Sequence, residues 1–135
     1  MEPQFCLLNE NGEVFGVTDH VMAFKQLDMV EIVTLYQVNC LYQRVHNDII
    51  GLIQKGMILP NENEYPRDYV QNTINYLGEL IENELGVDAL KELQMEISET
   101  LKDPEINHDL MHNIMVGFNF ELHPMVIKQL KNGEL

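Results

Sequence analysis

The chain is 135 residues long with a mass of 15.7 kDa, enough for one compact domain that buries about two thirds of its unfolded surface without help from disulfides or metal. Its 22 acidic and 8 basic side chains give a formal net charge of −14, a field that repels nucleic acid and anionic membrane surfaces. No run of roughly 18 uncharged apolar residues is present to span a bilayer. Direct nucleic-acid binding and membrane integration are therefore not expected.

The acidic excess is spread along the chain. Residues 1–66 hold nine acids and three bases, and residues 67–135 thirteen acids and five bases, so there is no acidic tail. A solvated surface is the plain reading of such a charge, and an acidic face that docks a basic partner is the sharper one. The start Met1-Glu2-Pro3-Gln4 lacks the basic region of a secretory signal, which leads to an expected cytoplasmic location. Cys6 and Cys40 form neither a disulfide framework nor a CxxC pair and read as buried thiols.

Near the N-terminus, "FCLLNENGEVFGVT" places two short apolar runs around Asn11-Gly12. That dipeptide suits a type I′ turn, so residues 4–9 and 13–18 are expected to pair as a hairpin. A lone two-stranded hairpin is marginal in water. Its edges need cover, either from the helices or from another subunit. Thr18 or Asp19 can cap a short helix to about Leu27. A long helix follows, from Asp28 to about Lys55, with Ile32, Leu35, Tyr36, Tyr42, Val45, Ile49, Leu52 and Ile53 at helical spacing. Between Met29 and Tyr42 it is apolar on almost every side, as expected of a helix at the centre of a core or shared between subunits.

The polar, proline-bearing stretch after Gly56 predicts a loop of about nine residues. The next helix, roughly Arg67 to Leu85, has the stripe Val70, Thr73, Ile74, Leu77, Leu80 and Ile81 and closes at Gly86. Asp88 is the expected cap of a further helix that turns Leu90, Leu93, Ile97 and Leu101 inward. Asp103-Pro104-Glu105 combines a capping carboxylate, proline at the first helical position and an acid near the positive end of the dipole, and so predicts a helix to about Phe118. His123-Pro124 opens a last short helix, with Lys128 and Lys131 toward its C-terminus. The expected fold is thus mainly α: one domain over residues 1–135, with a hairpin at about 4–18 and a bundle of five or six helices at about 19–132.

The most chemical stretch is "EINHDLMH", in which Glu105, His108 and His112 fall within about 60° of one another at the edge of the apolar stripe Ile106, Leu110, Met111, Ile114, Met115 and Phe118. Two imidazoles at i, i+4 can share a zinc ion, and Glu-x-x-His is the spacing of carboxylate-bridged di-iron bundles. His-Asp-x-x-His also departs by one methylene from the zinc-protease pattern His-Glu-x-x-His, which shortens the reach of Asp109 as a general base. A metal site needs further ligands, for which His46, His20, Glu121 and His123 are the candidates. The plain alternative is that the two histidines flank the stripe, half exposed, and that Glu105 serves the helix dipole.

Cys40 and His46 are six residues apart, about 240° around their helix, and do not face each other as nucleophile and base. The eight methionines read as core filler or as an adaptable binding surface. The leading expectation is a non-enzymatic acidic binding or regulatory protein that acts through protein contacts, as a homodimer and without a cofactor. A metal-binding bundle or metal-dependent enzyme that holds zinc or iron through Glu105, His108 and His112 is the alternative. An acidic nucleic-acid mimic that occupies a DNA-binding protein is the third.

Overall fold

The computed structural model describes residues 5–18, 27–60, 65–125 and Lys128, with the backbone only for residues 15–18. The hairpin is present, and β1 (Phe5–Leu8) pairs antiparallel with β2 (Val14–Thr18). Phe5 stands opposite Thr18 and Leu7 opposite Gly16, and a bulge then sets Leu8 opposite Val14.

The turn differs from the expected type I′. Gly12 has φ +77° but Asn11 does not take a positive φ, and the reversal starts at Asn9. The Asn9 carbonyl accepts the Gly12 N–H at 3.0 Å, and the Asn9 N–H donates to the Glu13 carbonyl at 2.9 Å. Asn9 Oδ1 accepts from the N–H groups of Asn11 and Glu13 at 2.9 and 3.0 Å. A side chain that accepts from the backbone two residues on favours this longer turn over the two-residue one, with glycine in the left-handed position. Gly12 also lies against the Tyr42 ring, where an added Cβ would be 2.9 Å from Cε1.

The free edge of β1 is closed from within the same chain. Thr73 Oγ1 accepts the Cys6 N–H at 2.8 Å. Asn39 Oδ1 accepts the Leu8 N–H at 3.0 Å, while Asn39 Nδ2 donates to the carbonyls of Leu8 and Leu35 at 3.3 and 2.8 Å. Both side chains are fully buried. They replace a neighbouring strand, so this edge does not require a second subunit.

The long helix is α1 (Met29–Gln54), capped by Asp28 in a reciprocal box with Glu31. Residues 30–34, whose β-branched side chains would also suit a strand, are helical. Burial includes three polar residues that periodicity in apolar side chains does not mark: Asn39, Gln43 and His46, alongside Ile32, Tyr36, Tyr42, Val45 and Ile49. Its sides pack against β1 and, further along the chain, against α2 (Arg67–Leu85), α3 (Val87–Thr100) and α4 (Pro104–Gly117). A helix with neighbours in so many directions needs apolar residues all round, and here they come from its own chain.

Four helices of this kind are present among the described residues, fewer than the five or six expected. The short helix expected at about 18–27 lies almost wholly outside the described residues. Of the last one, Pro124, Met125 and Lys128 are helical, and the remainder lies outside them. One cap is also different: Gly86, at φ +95°, both ends α2 and precedes α3, so Asp88 sits in the first turn of α3 and is not its cap. Asp103 caps α4 as expected, accepting the Glu105 N–H at 3.0 Å.

Candidate functional site

The site is built by two helix ends. At the C-terminus of α1, Gly56 takes φ +77°, its N–H donates to the Ile53 carbonyl, and the Met57 N–H reaches back to Leu52 at 2.9 Å. At the C-terminus of α4, Asn119 takes φ +56°, and the Phe120 N–H reaches back to Met115 at 2.9 Å. Both are the paired closure that a left-handed residue permits, and both send the chain away from its helix in extended form. The two exits meet: β3 (Ile58–Leu59) pairs antiparallel with β4 (Glu121–Leu122), and the His123 N–H donates to Met57 O at 2.8 Å. This small sheet occupies part of the stretch expected to be loop.

Between the sheet and α4 lies an open apolar groove of about 620 Å³. Leu52 comes from α1, Met111 and Met115 from α4, and Leu59, Phe120 and Leu122 from the sheet and its entry, with Ile58 buried beneath. His108, His112 and Glu121 supply its polar groups. The groove exists because α4 is a peripheral helix. Of its six-residue apolar stripe, Ile114 alone is buried, and Ile106 is 36% exposed.

Behind the groove, an aromatic cluster joins α1, the entry to α2 and the end of α4. The His46 and Tyr65 rings stack at 4.0 Å between centroids, Phe118 meets Tyr65 edge-on at 5.2 Å, and Phe120 tilts toward His46 at 6.3 Å. Burial, reinforced by the positive charge of Arg67, pushes the His46 pKa down to about 4. Burial first, then the proximity of Cys6 and Tyr42, raises that of Tyr65 well above the usual phenol. Among the described residues, His46 Nδ1, Tyr65 Oη and Gln43 Oε1 are buried without a hydrogen-bond partner. Cys6 and Cys40 are free, and burial raises both thiols to about 11, away from the thiolate a nucleophile needs.

The residues expected to hold a metal are only partly brought together. Glu105, His108 and His112 are exposed on α4, and the His108 side chain, 82% accessible, has Nδ1 3.7 Å from Asp109 Oδ1. Glu121 borders the same groove as His108 and His112. His123 Nδ1 accepts the Met125 N–H at 3.1 Å, and His46 is committed to the aromatic stack. His20 lies outside the described residues. Among the described residues, no group of three or more His, Cys, Asp and Glu side chains is arranged to share a metal ion.

No protein-family model, no curated protein and no solved structure matches the chain. The site is therefore read from its own chemistry. Its apolar side chains are half-buried, its methionines adaptable and its polar groups few, which suits contact with another apolar surface more than bond-making. Sequence reasoning found Met111 and Met115 as part of a stripe but missed Leu59, Phe120 and Leu122. The signal for two of these was present: Phe118, Phe120 and Leu122 alternate with polar residues at the period of a strand.

Proposed function

We propose that the protein is a non-enzymatic docking module, acidic over its surface, that binds a partner protein in the groove between α4 and the β3–β4 sheet. The observation that carries this reading is the incomplete burial of the α4 stripe beside Phe120 and Leu122. Apolar side chains gathered in one open trough are the usual mark of an interaction surface. A photoreactive amino acid at His112, on the rim, should give a discrete adduct of higher mass in the cells the protein comes from. The same group at the exposed Glu79 of α2, which does not line the groove, should give none. Equal labelling from both positions, or no adduct from His112, would sink the reading.

Self-association across residues 29–42 is a second reading, favoured by Val30, 76% exposed near the start of α1, and by Leu35 and Val38, half-buried beside a shallow groove shared with Leu8 and the hairpin turn. Light scattering at high micromolar concentration should then give twice the chain mass, and Val30→Lys should return it to one. A single-chain mass for the unmodified protein would remove this reading and leave the docking groove untouched.

A further inference from the structure

We infer that the segment the groove accepts is a cationic amphipathic helix, with an apolar face laid against Met111 and Met115 and basic side chains beyond its ends. This inference rests on the docking reading and names the chemistry of the partner.

The groove does not end at its apolar lining. His108 also borders a second depression of about 450 Å³, whose other residues are Pro104, Glu105 and Asp109. Apolar and acidic surfaces therefore run on from one another along α4. At 1.5 Å rise per residue, Met115 to Glu105 is about 15 Å of helix, and an occupant helix of about ten residues covers that length. Its apolar side chains would recur at i, i+3, i+4 and i+7.

The electrostatic sign follows from magnitudes. The N-terminus of α4 carries a partial positive charge of roughly half a unit. Asp103, Glu105 and Asp109 lie in the cap and the first two turns and are exposed, so full negative charges outweigh the dipole. Glu121 stands at the groove itself, and the net charge of the chain is −14. An acidic or phosphorylated segment is opposed at every one of these points, and a lysine or arginine is favoured. The groove is also open along its length, which suits a helix that keeps a solvated polar face more than a small ligand that must be largely enclosed.

The test uses the whole protein, labelled at the methionine methyl groups, and four synthetic fourteen-residue peptides. One has leucine at i, i+3, i+4 and i+7 with lysine elsewhere on its surface, the second replaces lysine by glutamine, the third by glutamate, and the fourth scrambles the first. The lysine peptide should shift the Met111 and Met115 signals and bind at least about tenfold more tightly than each of the other three. Raising the salt from about 0.05 to 0.3 M should weaken it several-fold. Glu105→Gln with Asp109→Asn should weaken the lysine peptide about fivefold and leave the glutamine peptide unchanged. Met111→Gln with Met115→Gln should weaken both.

Equal binding of the lysine and glutamine peptides in the groove would overturn the cationic assignment while leaving the docking reading in place. Equal binding of the scrambled peptide, or lysine-peptide binding that leaves the two methionine signals unmoved, would show attraction to the general negative field and would also overturn it. The adduct from His112 is measured without any peptide, so failure of the docking reading is seen separately.

Discussion

Replacing Asn39 with leucine is expected to lower the unfolding free energy by about 2–4 kcal/mol, although the new side chain has the same branched shape and is more apolar. Asn39 is completely buried and bridges strand and helix: its Oδ1 takes the Leu8 N–H, and its Nδ2 donates to Leu8 O and Leu35 O. A leucine leaves the Leu8 N–H and C=O without that partner, while the Leu35 carbonyl, inside α1, keeps its helical bond. Each buried group so orphaned costs about 1–3 kcal/mol, and the gain from one more apolar side chain offsets part of the total. The loss should be local as well as global, with faster amide exchange at Leu8 than at the buried turns of α2. Thr73→Val is the companion case, since it orphans the Cys6 N–H, and Thr73→Ser should restore most of the stability. Chemical denaturation of these variants gives the answer. A change below about 0.5 kcal/mol for Asn39→Leu would mean that the edge of β1 is not closed in this way.

The second large effect is a dependence of stability on pH. The pKa of His46 is about 4 in the folded protein, because burial and the Arg67 charge disfavour the imidazolium, against about 6.5 in an unfolded chain. Between those values the unfolded state binds a proton that the folded state does not, so stability rises with pH in that window. The contribution is fully present above about pH 6.5, is lost progressively as the pH falls toward 4, and changes no further once both states are protonated. The span corresponds to roughly 3 kcal/mol. His46→Phe keeps a ring against Tyr65 and removes the titration. In unfolding measurements between pH 7 and pH 4.5 the parent should therefore lose roughly 2 kcal/mol more than the variant, whichever of the two is the more stable at pH 7. Parallel pH profiles for the two proteins would show that His46 is accessible to protons in the folded state.

Much of the fold is legible in the sequence, and for a local reason. The capping carboxylates Asp28 and Asp103, the proline after Asp103 and the glycines at 56 and 86 act within a turn or two of themselves. They fix where α1, α2 and α4 begin or end, to within a residue or two. Apolar spacing likewise marks the buried face of α2, where Val70, Thr73, Ile74, Leu77 and Ile81 are all inside. The same signal fails at Asn39, Gln43 and His46, which are buried because of what stands opposite them: the edge of β1, the Arg67 carbonyl and the Tyr65 ring. A polar residue on a buried face has no signature in periodicity, since its partner is distant in the chain.

The candidate site divides in the same way. Glu105, His108 and His112 share one side of α4, as their spacing requires, but spacing cannot supply ligands from another element, and among the described residues no such group assembles. The groove was half visible, as an apolar stripe on α4 longer than one neighbour could cover.

What the sequence determined by itself is the mainly helical character, the hairpin at the N-terminus, the helix boundaries and the strong negative charge, all of which depend on composition and on neighbours a few residues apart. What only the tertiary structure decided is the pairing of β3 with β4, the side-chain closure of β1 and the open face of α4. Each depends on segments that lie 30 to 70 residues apart in the chain, and whether an apolar side chain ends inside the core or on a groove is set by how many such segments reach it.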